Sequence, residues 1–206
     1  MRIQTFALGP LQTNCHVLAK DGLAVAVDPG GDPAPILEYL RAHGLTLTHI
    51  LNTHLHFDHT YGNMALAEAT GAPILCAKED LFLLEDELGR GGVFGLPPVS
   101  AYDYATIEPG EHEFAGLQCR VYRTPGHSPG SLTFYFPEAG AACVGDLIFF
   151  RSVGRTDFPG GDIETLKRSV REVVFGLPPE TLLLSGHGPE TTVVDESNHN
   201  PFFGGF

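Results

Sequence analysis

Five of the ten histidines in this chain sit in polar or glycine-rich turns directly after apolar, strand-like runs. His54, His56 and His59 follow "ILN" in "THLHFDH", His127 lies in "RTPGHSPGS", and His187 in "LLLSGHGPE". Asp146 in "CVGDLIF" has the same setting. A surface loop has no obvious need of such a cluster, and an apolar core would have trouble hiding it. Any fold of this chain must therefore place several strand ends together, where active-site groups commonly gather.

The spacing inside "HLHFDH" narrows the chemistry. In extended backbone, His54 and His56 point the same way. A turn then brings Asp58 and His59 round from the other side. One ion does not readily take four ligands from so short a stretch, but two adjacent ions do, with His127, Asp146 and His187 completing two coordination spheres. Imidazole and carboxylate donors suit zinc, iron or manganese rather than magnesium or calcium. A carboxylate that bridges two ions about 3.5 Å apart, with a water acidified between them, is the arrangement of two-metal hydrolases.

The rest of the chain reads as a sheet-rich α/β domain. "RIQTFAL", "CHVLAK", "LAVAVD", "THILN", "APILCA", "LQCRVYRT", "GSLTFYF", "AACVGD" and "TLLLSG" have strand character. A helix is expected after Asp32 and Pro33, with Ile36, Leu37 and Leu40 on one face and Gly44 at its end. A second is expected in "TYGNMALAEATG", ending near Gly71. A third runs from about Asp162, with Ile163, Leu166, Val170 and Val174 on one face and Gly176 as its stop. Residues 79–110 read as irregular, an insertion of the kind that forms functional loops or lids. Its Phe82, Leu83, Leu84 and Phe94 argue against a plain linker. No interdomain linker is evident, so residues 1–206 read as one domain.

Composition bounds the function. The 206 residues carry a net charge of -13, with 43 % hydrophobic and 18 % charged residues. So acidic a surface disfavours nucleic acid and anionic membranes as partners. No signal sequence or membrane-spanning run is evident, so a cytoplasmic location is expected. Cys15, Cys76, Cys119 and Cys143 lie in or beside apolar stretches and read as buried free thiols. His16, His43, His49, His112 and His199 match no motif and read as structural or solvated, although the tail carrying His199 could approach the cleft.

The ordered set HxHxDH, GH, GD and GH, from His54 to His187, resembles the metallo-β-lactamase superfamily over nearly the whole chain. The resemblance implies an αββα sandwich of two facing mixed sheets with helices outside and metals at one sheet edge. Carried over by position, it implies one metal on His54, His56 and His127 and a second on Asp58, His59 and His187. Asp146 bridges them together with a hydroxide, and Asp58 also relays a proton. Two divalent ions are implied, zinc foremost, with iron, manganese or mixed occupancy compatible.

"TPGHSPGS" and "GRTDFPGGD" resemble the glyoxalase II group, which implies hydrolysis of hydroxyacylglutathione or a related small thioester. The chain ends soon after His187, so the helical glutathione-binding domain of that group is not expected here. "GRTDF" is also similar to persulfide dioxygenases, which implies as a rival one Fe(II) on His54, His127 and Asp146. A lactonase or β-lactamase, and a non-catalytic metal protein, are further alternatives. Asp28 in "AVDPGG" is a candidate for orienting a histidine ligand or capping a turn. Arg155 and Asp157 are expected to form an ion pair or shape the cleft. Arg90, Tyr102 and Tyr104 are candidate substrate contacts, and Phe202 and Phe203 are expected to fill a hydrophobic seam.

Overall fold

The computed structural model describes every residue except 94, 97, 205 and 206. The first half contains β1 (Arg2–Leu8), β2 (Thr13–Lys20), β3 (Leu23–Val27), α1 (Ala34–His43), β4 (Thr46–Leu51), α2 (Phe57–Thr60), α3 (Asn63–Thr70), β5 (Ile74–Cys76), α4 (Glu87–Arg90) and β6 (Ala105–Thr106). The second contains β7 (Gly110–Phe114), β8 (Leu117–Arg123), β9 (Leu132–Phe136), β10 (Ala141–Gly145), β11 (Ile148–Phe149), β12 (Ser152–Val153), α5 (Ile163–Glu172), β13 (Leu182–Ser185), β14 (Thr191–Thr192) and α6 (Val193–His199).

These strands form two six-stranded sheets, ordered β1-β2-β3-β4-β5-β6 and β14-β13-β10-β9-β8-β7, beside a small β11-β12 hairpin. Both sheets are mixed. β3, β4, β5 and β6 run parallel, as do β10 and β13, while the other pairs are antiparallel. The parallel pairs matter most for the site, because they send the chain after β3, β4, β10 and β13 out at matching strand ends.

Side-chain alternation builds the layers. In β3, Val25 and Val27 face the second sheet and meet Phe134, Phe136, Leu117 and Cys143 in the central core. Ala24 and Ala26, on the opposite face, pack with Ile36 and Leu40 of α1 and Leu66 of α3. In the second sheet, Ala142 and Val144 turn outward onto Leu166, Val170, Val174 and Val193. The order of layers is helix, sheet, sheet, helix, the expected αββα sandwich. All four cysteines are free and buried, as expected.

The helix signals fall close to their expected places. The Asp32 carboxylate accepts the Ala34 N–H at 3.0 Å, Pro33 opens the first turn, and Gly44 closes α1 with φ 62°. Asp162 caps α5 by accepting the Thr165 N–H at 2.7 Å. That helix ends at Glu172, and a 3-10 turn, Val174–Gly176, continues it to the expected stop.

Two readings, the irregular insertion and the seam at Phe202, need correction, and two elements, β7 and α6, had no expectation. The insertion is not irregular throughout: it holds a 3-10 segment, Lys78–Glu85, then α4 and β6. Leu83 is fully buried against Leu55 and Cys76, while Phe82 is exposed, and Phe94 lies outside the described residues. The polar run "GEHEF" forms strand β7, paired to β8 through a turn at Ala115 and Gly116, both with positive φ. The tail forms helix α6, with Thr192 accepting the Asp195 N–H at 3.2 Å. In that tail Phe203 packs edge-on to Phe175 at 5.1 Å, but Phe202 is exposed. No helix of the described residues is long and apolar enough to cross a membrane.

Candidate metal centre

The turns after β3, β4, β8, β10 and β13 meet at one end of the sandwich and deliver Asp28, His54 to His59, His127, Asp146 and His187. Cross-sheet hydrogen bonds hold that end shut. Leu132 N–H donates to Thr53 O at 2.7 Å, and Asn14 N–H to Gly186 O at 2.7 Å. The Asn14 amide also donates to Ser185 O at 3.0 Å and Gly188 O at 2.9 Å. His16, read as structural, is buried with Nε2 3.1 Å from Ser185 O. Burial chiefly pushes its pKa down to about 4.

Three triads with mutually close ligand atoms form within this end: His54, His56 and His127, then Asp58, His59 and His187, these two matching the expected ligand sets, and a third in which Asp28 joins His54 and His59. His127 Nε2 lies 3.2 Å from His54 Nε2 and 2.9 Å from His56 Nδ1. His187 Nε2 lies 3.2 Å from Asp58 Oδ2. Asp146 stands between the first two triads, with Oδ1 3.3 Å from His59 Nε2 and Oδ2 3.7 Å from His127 Nε2 and 3.6 Å from His187 Nε2. Every residue expected to bind metal is therefore in one cluster.

The outward ring nitrogens have partners that fix the tautomers. His127 Nδ1 donates to Arg155 O at 2.7 Å. Asp28 Oδ2 accepts the Thr53 hydroxyl at 2.6 Å and His59 Nδ1–H at 2.9 Å, and Oδ1 accepts the Thr53 N–H at 2.8 Å. With its hydrogen committed to Asp28, Thr53 Oγ1 is left to accept His54 Nδ1–H at 3.1 Å. Asp28 thus supports two histidines, one directly and one through Thr53. Between the ligands, Thr53 thus fixes two of them (His54 directly, His59 through Asp28), Leu55 is a fully buried packing residue, and Phe57 lines the cleft.

These tautomers leave lone pairs of His54, His59 and His127 converging on the interior. His59 Nε2 and Asp146 Oδ1 are buried with no hydrogen-bond partner. Converging lone pairs and orphaned buried polar atoms are costly unless a cation lies among them. The residues therefore fit a metal, and the donor set is one that binds divalent transition ions.

The protonation preferences agree. Burial, with neighbouring histidines adding to it, pushes His54 well down and His56 to about 3, so both stay neutral. Burial also opposes charge on His59, yet Asp58, Asp146 and Asp28 outweigh it and push that imidazole well up, so that without a metal a proton on Nε2 takes the place of the cation. Burial likewise opposes ionisation of Asp58 and Asp146, but His59 and His187 hold both carboxyls below their ordinary range. The cluster keeps its carboxylates ionised and attracts positive charge to its centre.

The glycines before His127 and His187 are needed for close approach. Gly126 has φ 137°, and a Cβ there would press into Leu166. A Cβ on Gly186 would overlap Asp146 Oδ1 and stand 2.6 Å from His59 Cε1.

One buried carboxylate escaped the sequence reading. Asp80, with no exposed surface, accepts the Ser128 hydroxyl at 2.7 Å, the Gly130 N–H at 2.6 Å and the Leu55 N–H at 3.3 Å. It joins the loop of His54 and His56 to the loop of His127. Only "ED" before an apolar run marked it in the sequence, which is no signal of such a role.

A cleft of about 960 Å³ opens over the cluster, floored by His56, Asp58, His127, Asp146 and His187. Arg155 and Phe158 from "GRTDF" line it, and Arg155 is also bidentate to Asp157 at 2.7 and 2.6 Å. Arg90, Tyr102 and Tyr104 do not line it. They border separate grooves, because α4 presents Glu87 and Leu88 to the cleft and Tyr102 packs toward the α3 side. His199 is exposed, bonded to Asp195 and absent from the cleft.

The profile of the Metallo-beta-lactamase superfamily matches residues 8–187. Among curated proteins, the chain is 38 % identical to the probable metallo-hydrolase YqgX of Bacillus subtilis, over 100 % of this chain and 99 % of that protein. It is 34 % identical to hydroxyacylglutathione hydrolase GloC of Haemophilus influenzae, over 98 % of each. Among solved structures, the BLEG-1 B3 metallo-beta-lactamase superposes with TM-score 0.93 at 36 % identity, over 99 % of this chain and 100 % of that one. TTHA1623 in a di-iron-bound form superposes with TM-score 0.87 at 37 % identity, over 97 % and 99 %.

Proposed function

Since the chain belongs to the metallo-beta-lactamase superfamily and is a metallo-hydrolase, we propose that it hydrolyses thioesters in the manner of glyoxalase II. The observation that carries this reading is the pair of triads meeting at Asp146 beneath an open cleft. Likeness to GloC over the whole chain supports the thioester as the bond cleaved.

His54, His56 and His127 would hold one divalent ion and Asp58, His59 and His187 a second, with Asp146 reaching both. Zinc, iron and manganese all suit these donors, and the di-iron neighbour is in keeping with that range. When bound, such ions supply Lewis acidity and acidify a water enough to attack a carbonyl near neutral pH.

The chain's own residues do the remaining work. Asp28, Thr53 and the Arg155 carbonyl hold three imidazoles in the tautomer that turns a lone pair inward. Asp58 lines the cleft, and the Thr13 hydroxyl fixes its Oδ2 at 2.9 Å. We assign it the proton released as water attacks the thioester carbonyl. A thiolate leaves with little help from a general acid, so no further proton donor is required.

The test is a metal-loaded activity panel of thioester, lactone, β-lactam and persulfide substrates, with elemental analysis of the same sample. Thioester hydrolysis is expected to dominate, and Asp146→Ala to abolish both metal and turnover. Turnover of β-lactams without thioesters would replace this reading by a second one, which the superposition on BLEG-1 favours. Sulfite release from glutathione persulfide and oxygen, without hydrolysis, would replace both.

A further inference from the structure

The walls of the cleft carry information that its floor does not. Leu11, Phe57, Leu88, Leu96, Phe149 and Phe158 make them largely apolar. Three charged side chains interrupt that surface. Asp86 and Glu87 reach it from the start of α4, and Arg155 from the segment after β12. Among the described residues lining the cleft, Arg155 is the one cation apart from the histidines of the floor.

That cation is already engaged. Its guanidinium is bidentate to Asp157 and stacks on Phe158, 3.8 Å from the ring centroid. A guanidinium committed to a carboxylate and an aromatic face offers little net charge to a third group. Asp86 is turned to capping, accepting the Leu88 N–H at 2.9 Å, but its charge stays in the wall beside Glu87. Excluding the floor, the wall charges are Arg155, Asp86 and Glu87, with Asp157 cancelling the first. The balance is negative, on a protein whose net charge is already -13.

Glutathione carries two free carboxylates and one ammonium once its sulfur is acylated. Recognition of carboxylates needs unpaired cations or a cluster of N–H donors, and an acidic wall repels them. An apolar wall rewards apolar surface brought out of water.

From these observations we infer that this cleft selects thioesters whose thiol portion is apolar and carries no net negative charge, and that it discriminates against glutathione. The inference rests on the thioesterase reading above. Phe57, Phe149 and Phe158 are its specificity-determining apolar contacts, and Asp86 and Glu87 the elements that reject anions.

The experiment compares kcat/KM of the metal-loaded protein for three substrates with one acyl group: S-lactoylglutathione, its diethyl ester, and the lactoyl thioester of benzyl mercaptan. The expected order is benzyl thioester above diethyl ester above S-lactoylglutathione, with at least tenfold between the extremes. S-lactoylglutathione turnover should rise with ionic strength, as screened repulsion requires, while the benzyl thioester stays flat. The ratio between these two should narrow roughly threefold or more in Asp86→Asn/Glu87→Gln. Asparagine retains the capping acceptor, so this variant removes charge and keeps the helix start. Turnover with S-lactoylglutathione preferred, or falling with salt, overturns the inference and leaves the thioesterase standing. No turnover of any of the three overturns both.

Discussion

Replacing Asp28 by asparagine isolates what the charge behind the ligands contributes. Asp28 sits at φ 55°, a region asparagine also tolerates, so the exchange does not strain the backbone. The carboxylate accepts three hydrogen bonds, from Thr53 N–H, Thr53 Oγ1 and His59 Nδ1. Asparagine has one oxygen to offer. If that oxygen faces Thr53 Oγ1 and His59, its NH₂ faces the Thr53 N–H, and a buried donor is orphaned. The flipped amide orphans the His59 contact instead. A buried donor without an acceptor costs about 1–3 kcal/mol. The metal-free variant should lose that much stability, or roughly 2–12 °C in melting temperature at about 2–4 °C per kcal/mol for a chain of this size. Loss of the anion behind His59 and Thr53 should also weaken metal binding about 10–100-fold. Competition with a chromophoric chelator measures the second quantity, and calorimetry of the metal-free protein the first. Metal affinity within twofold of the parent, together with an unchanged melting temperature, would refute a supporting role for Asp28.

Other perturbations separate other parts of the structure. Gly186→Ala should lower metal content while far-UV circular dichroism is retained, because its new methyl meets Asp146 and His59 rather than the core; full metal content would contradict the packing described. Asp80→Ala leaves three buried donors without their acceptor and should cost on the order of 3–5 kcal/mol in denaturant unfolding. A loss under about 1 kcal/mol would mean that water replaces the carboxylate. Zinc added at a hundred times its dissociation constant should stabilise the metal-free protein by about 2.7 kcal/mol, whereas a melting curve indifferent to metal would argue against the centre itself.

The donor set was legible because it is written in local sequence: His127, Asp146 and His187 each follow a glycine, and His54, His56, Asp58 and His59 crowd into one short stretch after an apolar run. Helices α1 and α5 were legible for the same reason, since Asp32, Gly44 and Asp162 act within a few residues of themselves. β7 was not. Glu111 and Glu113 face outward on an edge strand, and His112, half-buried on the side of Phe114, is itself polar, so only Phe114 carries an apolar signal, and the Ala115–Gly116 turn lacks asparagine or aspartate. Asp80 was hidden for a different reason. Its partners Leu55, Ser128 and Gly130 lie 25 to 50 residues away, and nothing near Asp80 announces them. Arg90 and Tyr102 were misplaced because a loop's path, not its composition, decides which side chains reach a cleft. The same separation leaves the cluster better defined by sequence than the substrate it serves.

The clasp between Asn14 and the turn around Gly186 joins residues more than 170 positions apart. Contacts of such separation form late, because a long loop must close before they repay its entropy. On a ribosome, a nascent chain synthesised just past β10 already carries His54 through Asp146. It still lacks His187 and the end of β13 that Asn14 of β2 must grip. Maturation of this protein is thus tied to chain completion: an ion met earlier finds six of the seven ligands on an unclosed sandwich, and the second triad waits for β13 to dock.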